Sequence, residues 1–378
     1  MNLRAVGRAV RNVVIRAEVF VNRKLGREFI PATTETFYIE TSSACNMNCL
    51  FCAYEGKQAP KVSMDNELFF DCVRQALTLG YREFHLTPCT GDVFMDRHAF
   101  DKLEFLDRQE GVRAYHFFTN FSILDDEQIA RLVSLKKLTT LTISIYGHDE
   151  ASFVALTKTS PKLYRRTLAN LETLLGYRDS WPFVLTLGYR STWDAPREVD
   201  SELSRMVERY RAAGVNVHSS HGIYSNWGGQ VTQERAGGLN LHILPSAGVY
   251  KSGACVKLFD AFQVTATGVV SGCSVRDAST TLKIGDVRQQ PLSAIVSKAN
   301  PEYLGLIEEQ ESGKFRDVCR NCDFYRSIYH QPSNFRRNRI PVQGRADFLD
   351  RLGEIPARKI HWLAEQTRAA PATGSAAG

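Results

Sequence analysis

The sequence predicts an α/β fold: an open partial barrel of six strand–helix units, (β/α)6, followed by a small α+β domain. Three observations carry this. Between residues 37 and 220, short β-branched or aromatic runs alternate with longer amphipathic stretches punctuated by Gly. The connections are long enough for right-handed crossovers between parallel strands. From about Ala254 to Ile295 this rhythm gives way to short strand-like runs and turns (FQVTATGVVSGCS), which read as a hairpin in a second domain. Six units curl into an open barrel more readily than into a closed eight-unit one, and functional residues are then expected at the C-terminal ends of the strands.

The six strands are expected to begin near Phe37 (FYIETS), Glu83 (EFHLTP), Val112 (VRAYHFFT), Leu138 (LTTLTISIY), Phe183 (FVLTLGYR) and Val215 (VNVHSS). Four helices are expected to end at Gly80, Gly111, Gly176 and Gly214, where a residue without Cβ enters the left-handed conformation most easily. Asp125 with Gln128 three residues on resembles a capping box, and Asp194 followed by Pro196 supplies a cap and a proline in the first turn. The acidic cluster Asp125, Asp126 and Glu127 suits a helix N-terminus through the helix dipole. Ahead of the barrel, Val6, Val10, Val13, Val14, Ala17 and Val21 share one helical face, with Arg4, Arg8, Arg11 and Arg16 largely elsewhere. This predicts an amphipathic helix in residues 1–34 packed on the barrel or a neighbour, with contact to an anionic membrane surface as the alternative. The barrel is expected over 35–235, the second domain over 250–335, and a C-terminal helix with a disordered tail (TRAAPATGSAAG) over 336–378.

The composition excludes several classes. In 378 residues, 47 Lys and Arg against 41 Asp and Glu leave a net charge of +6, with 43% hydrophobic and 23% charged positions, so most of the chain is neither disordered nor coiled coil. No apolar stretch of about 18 residues is present to span a membrane, and the basic N-terminal region lacks the apolar run of a signal peptide, so a cytoplasmic protein is expected. No long basic run argues for nucleic acid. The phosphate-loop, HExxH and GxSxG patterns are missing.

Nine cysteines, an odd number with no export signal, favour metal ligation or redox chemistry over a disulfide framework. Cys45, Cys49 and Cys52 (CNMNCLFC) directly follow the first strand; three thiolates there suit one soft metal centre, while a structural zinc wants a fourth ligand that does not follow nearby. Cys255, Cys273, Cys319 and Cys322 form a second group, for which four-cysteine zinc and a cluster are both suitable on spacing. Cys72 reads as a buried inert thiol in the first amphipathic helix. Cys89, in TPCTGD at the end of strand two, reads as packing or as a hydrogen-atom donor to a substrate radical.

CxxxCxxC with Phe51 before its last cysteine, in the loop after strand one of a β/α series, resembles the radical S-adenosylmethionine (SAM) superfamily. The second group resembles the twitch domain, the shorter form of the SPASM domain, and its spacing is similar to that of aminocyclitol dehydrogenase-type members. The resemblance implies a TIM-like partial barrel and two 4Fe-4S clusters. Cys45, Cys49 and Cys52 would hold the one whose open iron takes SAM, and Cys255, Cys273, Cys319 and Cys322 would saturate an auxiliary one. It further implies SAM contacts from Phe51, from Thr90, Gly91 and Asp92 in place of a GGE-like motif, from Asn120 after Thr119, from Ser144 in a SIYG run, and from Arg190. Tyr146 stands where many members have Asp, which removes an acidic role there. An electron from flavodoxin or ferredoxin would cleave SAM to a 5′-deoxyadenosyl radical that abstracts hydrogen from substrate. Net dehydrogenation of a sugar, cyclitol or nucleotide-sugar alcohol is the favoured reaction, with the auxiliary cluster accepting an electron and His221, His218 or Tyr224 as candidate bases. A peptide maturase or a redox-neutral epimerase are the alternatives on the same scaffold. A non-catalytic zinc or iron–sulfur metalloprotein is the alternative of another class.

Overall fold

The computed structural model describes residues 3–32, 36–193, 200–246 and 249–352, with side chains of the first helix described from Asn12 onward. Six parallel strands form the barrel wall: β1 (Thr36–Ile39), β2 (Glu83–His85), β3 (Ala114–Thr119), β4 (Leu138–Tyr146), β5 (Val184–Ser191) and β6 (Asn216–His221). Each begins within about two residues of its expected position. Every crossover carries helix, so the order in the sheet follows the order in the chain, as short right-handed connections require.

Alternation along the strands separates two faces. Phe84, Phe117, Leu141, Ile143, Leu185 and Leu187 are buried in the main core on the helix side. Residues one step along face the other way: Tyr38, His85, His116 and Thr140 stand side by side in register across β1 to β4, and Phe118 and Val184 on this face are 40% and 65% exposed. The sheet is therefore lined with helices on one face and open on the other, which is the concave side of a partial barrel.

The hairpin of the second domain does not form a sheet of its own. Its strands β7 (Gln263–Val264), β8 (Val269–Ser271) and β9 (Lys283–Asp286) extend the barrel sheet to nine strands, with β7 parallel to β1. The bond from Glu40 N to Val264 O, 2.8 Å, continues this pairing beyond the end of β1. Pairing of such short strands leaves no local sequence signal, so the continuity of the second-domain hairpin with the barrel sheet was not expected.

Several helix signals hold and others do not. The box at Asp125 is present in both directions, with Gln128 N donating to Asp125 at 2.8 Å and Asp125 N donating to Gln128 at 3.1 Å. Gly80 and Gly214 adopt the left-handed conformation past their helices, whereas Gly111 and Gly176 do not. Gly176 is the last residue of its helix (Pro161–Gly176), and Gly111 lies where a Cβ would come within 3.0 Å of the Leu77 side chain, a packing requirement. The helix before β6 starts at Glu202 and is capped by Ser201; Asp194 and Pro196 lie outside the described residues, as does the chain after Leu352.

The N-terminal helix α1 (Leu3–Lys24) forms as expected but packs through the opposite face. Val13, Val14 and Val21 are 65%, 59% and 50% exposed, while Val19 and Asn22 are buried. Polar anchors decide the orientation. Glu18 pairs with His330 at 2.8 Å and the Asn22 amide donates to Tyr329 O at 3.0 Å. No helix among the described residues is long and apolar enough to cross a membrane. The cap at Asp125 offers a direct test of the barrel's local stability: Asp125→Ala should lower the unfolding free energy by about 1 kcal/mol, read from the urea midpoint at unchanged slope.

Candidate cofactor and cluster sites

Residues 44–62 carry no strand or helix, yet they hold Cys45, Cys49 and Cys52 in place through bonds to every neighbouring part of the barrel. Asp92 N donates to Ala44 O at 2.8 Å, Asn48 N to Thr157 O at 2.9 Å and Leu50 N to Leu156 O at 3.0 Å. Asn120 donates to Asn46 Oδ1 at 2.8 Å and toward Cys45 Sγ at 3.8 Å, while Asn46 donates to the Ser122 hydroxyl at 2.9 Å. From beyond β6, Arg235 donates to Cys49 O at 3.3 Å and the Trp227 indole to Phe51 O at 2.8 Å.

The ion pair between Lys57 and Glu40, 2.9 Å, closes the loop. Both side chains are almost fully buried, at 2% and 3% exposure. Lys57 also donates to the Thr90 hydroxyl at 3.3 Å, and the second Glu40 oxygen accepts from Ala266 N at 3.0 Å. One buried carboxylate thus ties the end of β1, the cysteine loop, the end of β2 and the second-domain hairpin together.

Gly91 has φ +106° and its absent Cβ would stand 2.2 Å from Ser42 O, so only glycine allows the end of β2 to lie against the loop. Asp92 is buried and its oxygens are engaged within the protein: they accept from Phe94 N at 3.0 Å, the Thr119 hydroxyl at 3.0 Å and Asn120 N at 2.7 Å. Burial pushes its carboxyl up while those bonds pull it down. Arg190 donates to the Ser144 hydroxyl at 2.9 Å, and its charge eases the Cys49 and Cys52 thiols that burial pushes up. Phe51 stacks on Tyr224 with ring centroids 4.6 Å apart and leans on Tyr146 at 5.6 Å, forming an aromatic wall beside the cysteines.

The candidate bases do not gather. The Tyr224 hydroxyl donates to Ser191 O at 2.7 Å and is buried. His221 pairs in register with Ser191 and contacts the Tyr189 ring at 5.4 Å, on the face away from the barrel interior. His218, in register with Gly188, is exposed on the interior face. Sequence reasoning missed His85 and His116, whose rings lie 4.3 Å apart on that face, with Tyr38 at 5.3 Å and Phe118 at 5.6 Å from His85. Burial pushes His85 down to about 3, so the ring is neutral. Two histidines at equal offsets in adjacent strands were the available signal. Cys72 is buried in its helix, as expected. Cys89 lies at the junction of the two halves: burial raises its thiol first, then the Cys273 thiol and the Asp277 carboxylate.

In the second half, Cys255, Cys273, Cys319 and Cys322 line a single cavity with Gln310, Arg276 and Phe324. The chain brings them there from three places. Cys255 starts a short helical turn, Cys273 follows β8, and Cys319 and Cys322 flank the turn after Asp317–Arg320. Burial pushes Cys255 up to about 12 and Cys322 up to about 11, and the thiols raise one another. Gln310 donates to Cys319 Sγ at 3.2 Å and accepts from Cys255 N at 2.7 Å. Four soft thiol donors around one cavity form a donor set that fits an iron–sulfur cluster.

Comparison with known proteins agrees with this geometry. Residues 39–203 match the radical SAM superfamily and residues 255–323 match SPASM, an iron-sulfur cluster-binding domain. The chain carries a radical SAM domain followed by a SPASM-type iron–sulfur cluster-binding domain. The two domains imply SAM and iron–sulfur clusters as cofactors. Among solved structures, SuiB of Streptococcus suis bound to precursor peptide SuiA superposes with a TM-score of 0.52 at 13% identity, covering 79% of this chain and 73% of that one. The protein anSMEcpe with bound AdoMet gives 0.50 at 14% identity, over 88% and 99% of the two chains. BtrN in complex with AdoMet and 2-DOIA gives 0.49 at 15% identity, over 80% and 98%. At such identities the likeness is one of fold. No curated protein matches the chain in sequence.

The buried pair carries a stability prediction. Lys57→Met leaves Glu40 buried without its partner and should cost about 3–5 kcal/mol in denaturant unfolding, most of it recovered in the Glu40→Gln, Lys57→Met double variant. Equal losses in the single and double variants would show that the pair does not act as a unit.

Proposed function

We propose that this radical SAM enzyme dehydrogenates an alcohol on a small hydroxylated substrate, such as a sugar, cyclitol or nucleotide sugar. The observation that supports it is the second-domain cavity lined by four cysteines, which would complete the ligation of a cluster there and leave no iron open for substrate. Such a centre suits uptake of an electron at a distance. Cys45, Cys49 and Cys52 would hold the first cluster, which with SAM would supply the chemistry for removing a hydrogen atom from substrate.

The remaining roles fall to the chain itself. Arg190 and Ser144 present a planar cation and a hydroxyl suited to the SAM carboxylate. Gly91 and Thr90 would offer backbone groups to the amino group of SAM. Phe51, Tyr146 and Tyr224 wall the site against water. Oxidation of an alcohol releases one hydrogen atom, one proton and one electron, so an acceptor is needed for each. His218, on the interior face and exposed, is the best placed of the candidate bases for the proton. Reduced flavodoxin or ferredoxin is the proposed electron donor.

Substrates deuterated at the carbinol carbon test the reading: deuterium should appear in 5′-deoxyadenosine, with one ketone formed per deoxyadenosine. Deuterium arriving only from a peptide would replace the small-alcohol substrate. Transfer from an alcohol that returns it epimerised, without ketone, would replace the reaction. Arg190→Ala should raise the SAM concentration needed for half-maximal deoxyadenosine formation at least tenfold, with iron content unchanged.

A further inference from the structure

Arg276 has no part in the account above, yet it is placed where a charge has consequences. It lines the cavity of Cys255, Cys273, Cys319 and Cys322. Its guanidinium lies between two rings, 5.1 Å from the centroid of Trp227 and 4.8 Å from that of Phe324, and the side chain is 18% exposed. One terminal nitrogen donates to Val275 O at 2.8 Å. Nε is buried without a hydrogen-bond partner. Asp323 forms an ion pair with that nitrogen at 3.6 Å, beyond hydrogen-bond distance, and accepts the Ser225 hydroxyl at 2.9 Å.

A buried cationic N–H without an acceptor costs free energy, and a cavity edged with sulfur is where one would be supplied. The surrounding charges are otherwise committed. Asp277 accepts from Ser271, Thr281 and Leu282 N, and Lys257 pairs with Asp260 at 2.9 Å. A cluster with four thiolates is anionic and gains a further negative charge on reduction, so a nearby cation and an N–H donor favour the reduced form.

We infer that Arg276 sets the reduction potential of the second-domain cluster, with Trp227 and Phe324 holding its guanidinium against that cluster and Nε donating to it. The inference rests on these four cysteines holding the cluster. It makes Arg276 a positioning and tuning residue, whose removal leaves the ligands intact but weakens the cluster as an electron acceptor.

The test uses the full chain with Cys45, Cys49 and Cys52 all changed to Ala, so that one cluster is observed. Anaerobically reconstituted protein with Arg, Gln or Lys at position 276 is assayed for iron and sulfide and titrated with dithionite under electron paramagnetic resonance. About four irons per chain are expected in each. The midpoint of Arg276→Gln should lie more negative than that of the Arg form with a changed resonance line shape, and that of Arg276→Lys should lie between them. Equal midpoints in all three overturn the inference. If the Gln form does not hold iron, the Lys form decides, because it keeps the charge but loses Nε: a midpoint equal to the parent's removes the assigned hydrogen bond. Iron lost from both variants makes Arg276 a prop of the cavity and overturns the inference too. Absence of iron already with Arg present would instead contradict the cluster assignment itself.

Discussion

A loop without regular secondary structure can present three cysteines at a fixed spacing only if its surroundings hold its backbone. Here the loop after β1 is tied by Ala44, Asn48, Leu50, Cys49 and Phe51 to the end of β2, the helix after β4 and the segment beyond β6. The buried Glu40–Lys57 pair locks its far end. Each tie satisfies a backbone group that would otherwise be buried without a partner, so the loop's order follows from the barrel's. The strand ends act as a frame for the cysteines and are the proposed source of contacts for SAM.

The same frame fixes the second site. Strand β7 pairs with β1, Glu40 accepts from Ala266 N, and the segment Ser225–Gly229 bonds to Phe51 on one side and to Asn321 and Asp323 on the other. Trp227 reaches Phe51 O on one side and lies under Arg276 on the other. Gly228 and Gly229 lie against Val318 and Asn321, where a Cβ would come within 2.6 Å and 2.8 Å of them. A continuous sheet with a wedged loop fixes the separation of the two cysteine groups without relying on a flexible linker.

Much of this was legible in the sequence because its signals are local. Strand periodicity, the capping box at Asp125 and the two cysteine groups each depend on residues close in the chain. The pairing of β7 with β1 and the committed state of Asp92 were not legible, since they depend on contacts between distant segments. The N-terminal helix misled for a physical reason: Glu18 and Asn22 found polar partners at His330 and Tyr329, which outweighed the apolar stripe. Arg276 and the pair His85 and His116 carry no motif, and only the fold shows what they face.

The account stands on two separate cysteine-held clusters, of which only the first binds SAM. Iron and sulfide analysis of the reconstituted protein, with chromatographic detection of 5′-deoxyadenosine after SAM and dithionite, tests this most directly. The parent should hold about eight irons and form deoxyadenosine; changing Cys45, Cys49 and Cys52 to Ala should leave about four irons and abolish it. Stoichiometric zinc with no deoxyadenosine under any reductant would contradict the account and make both cysteine groups structural.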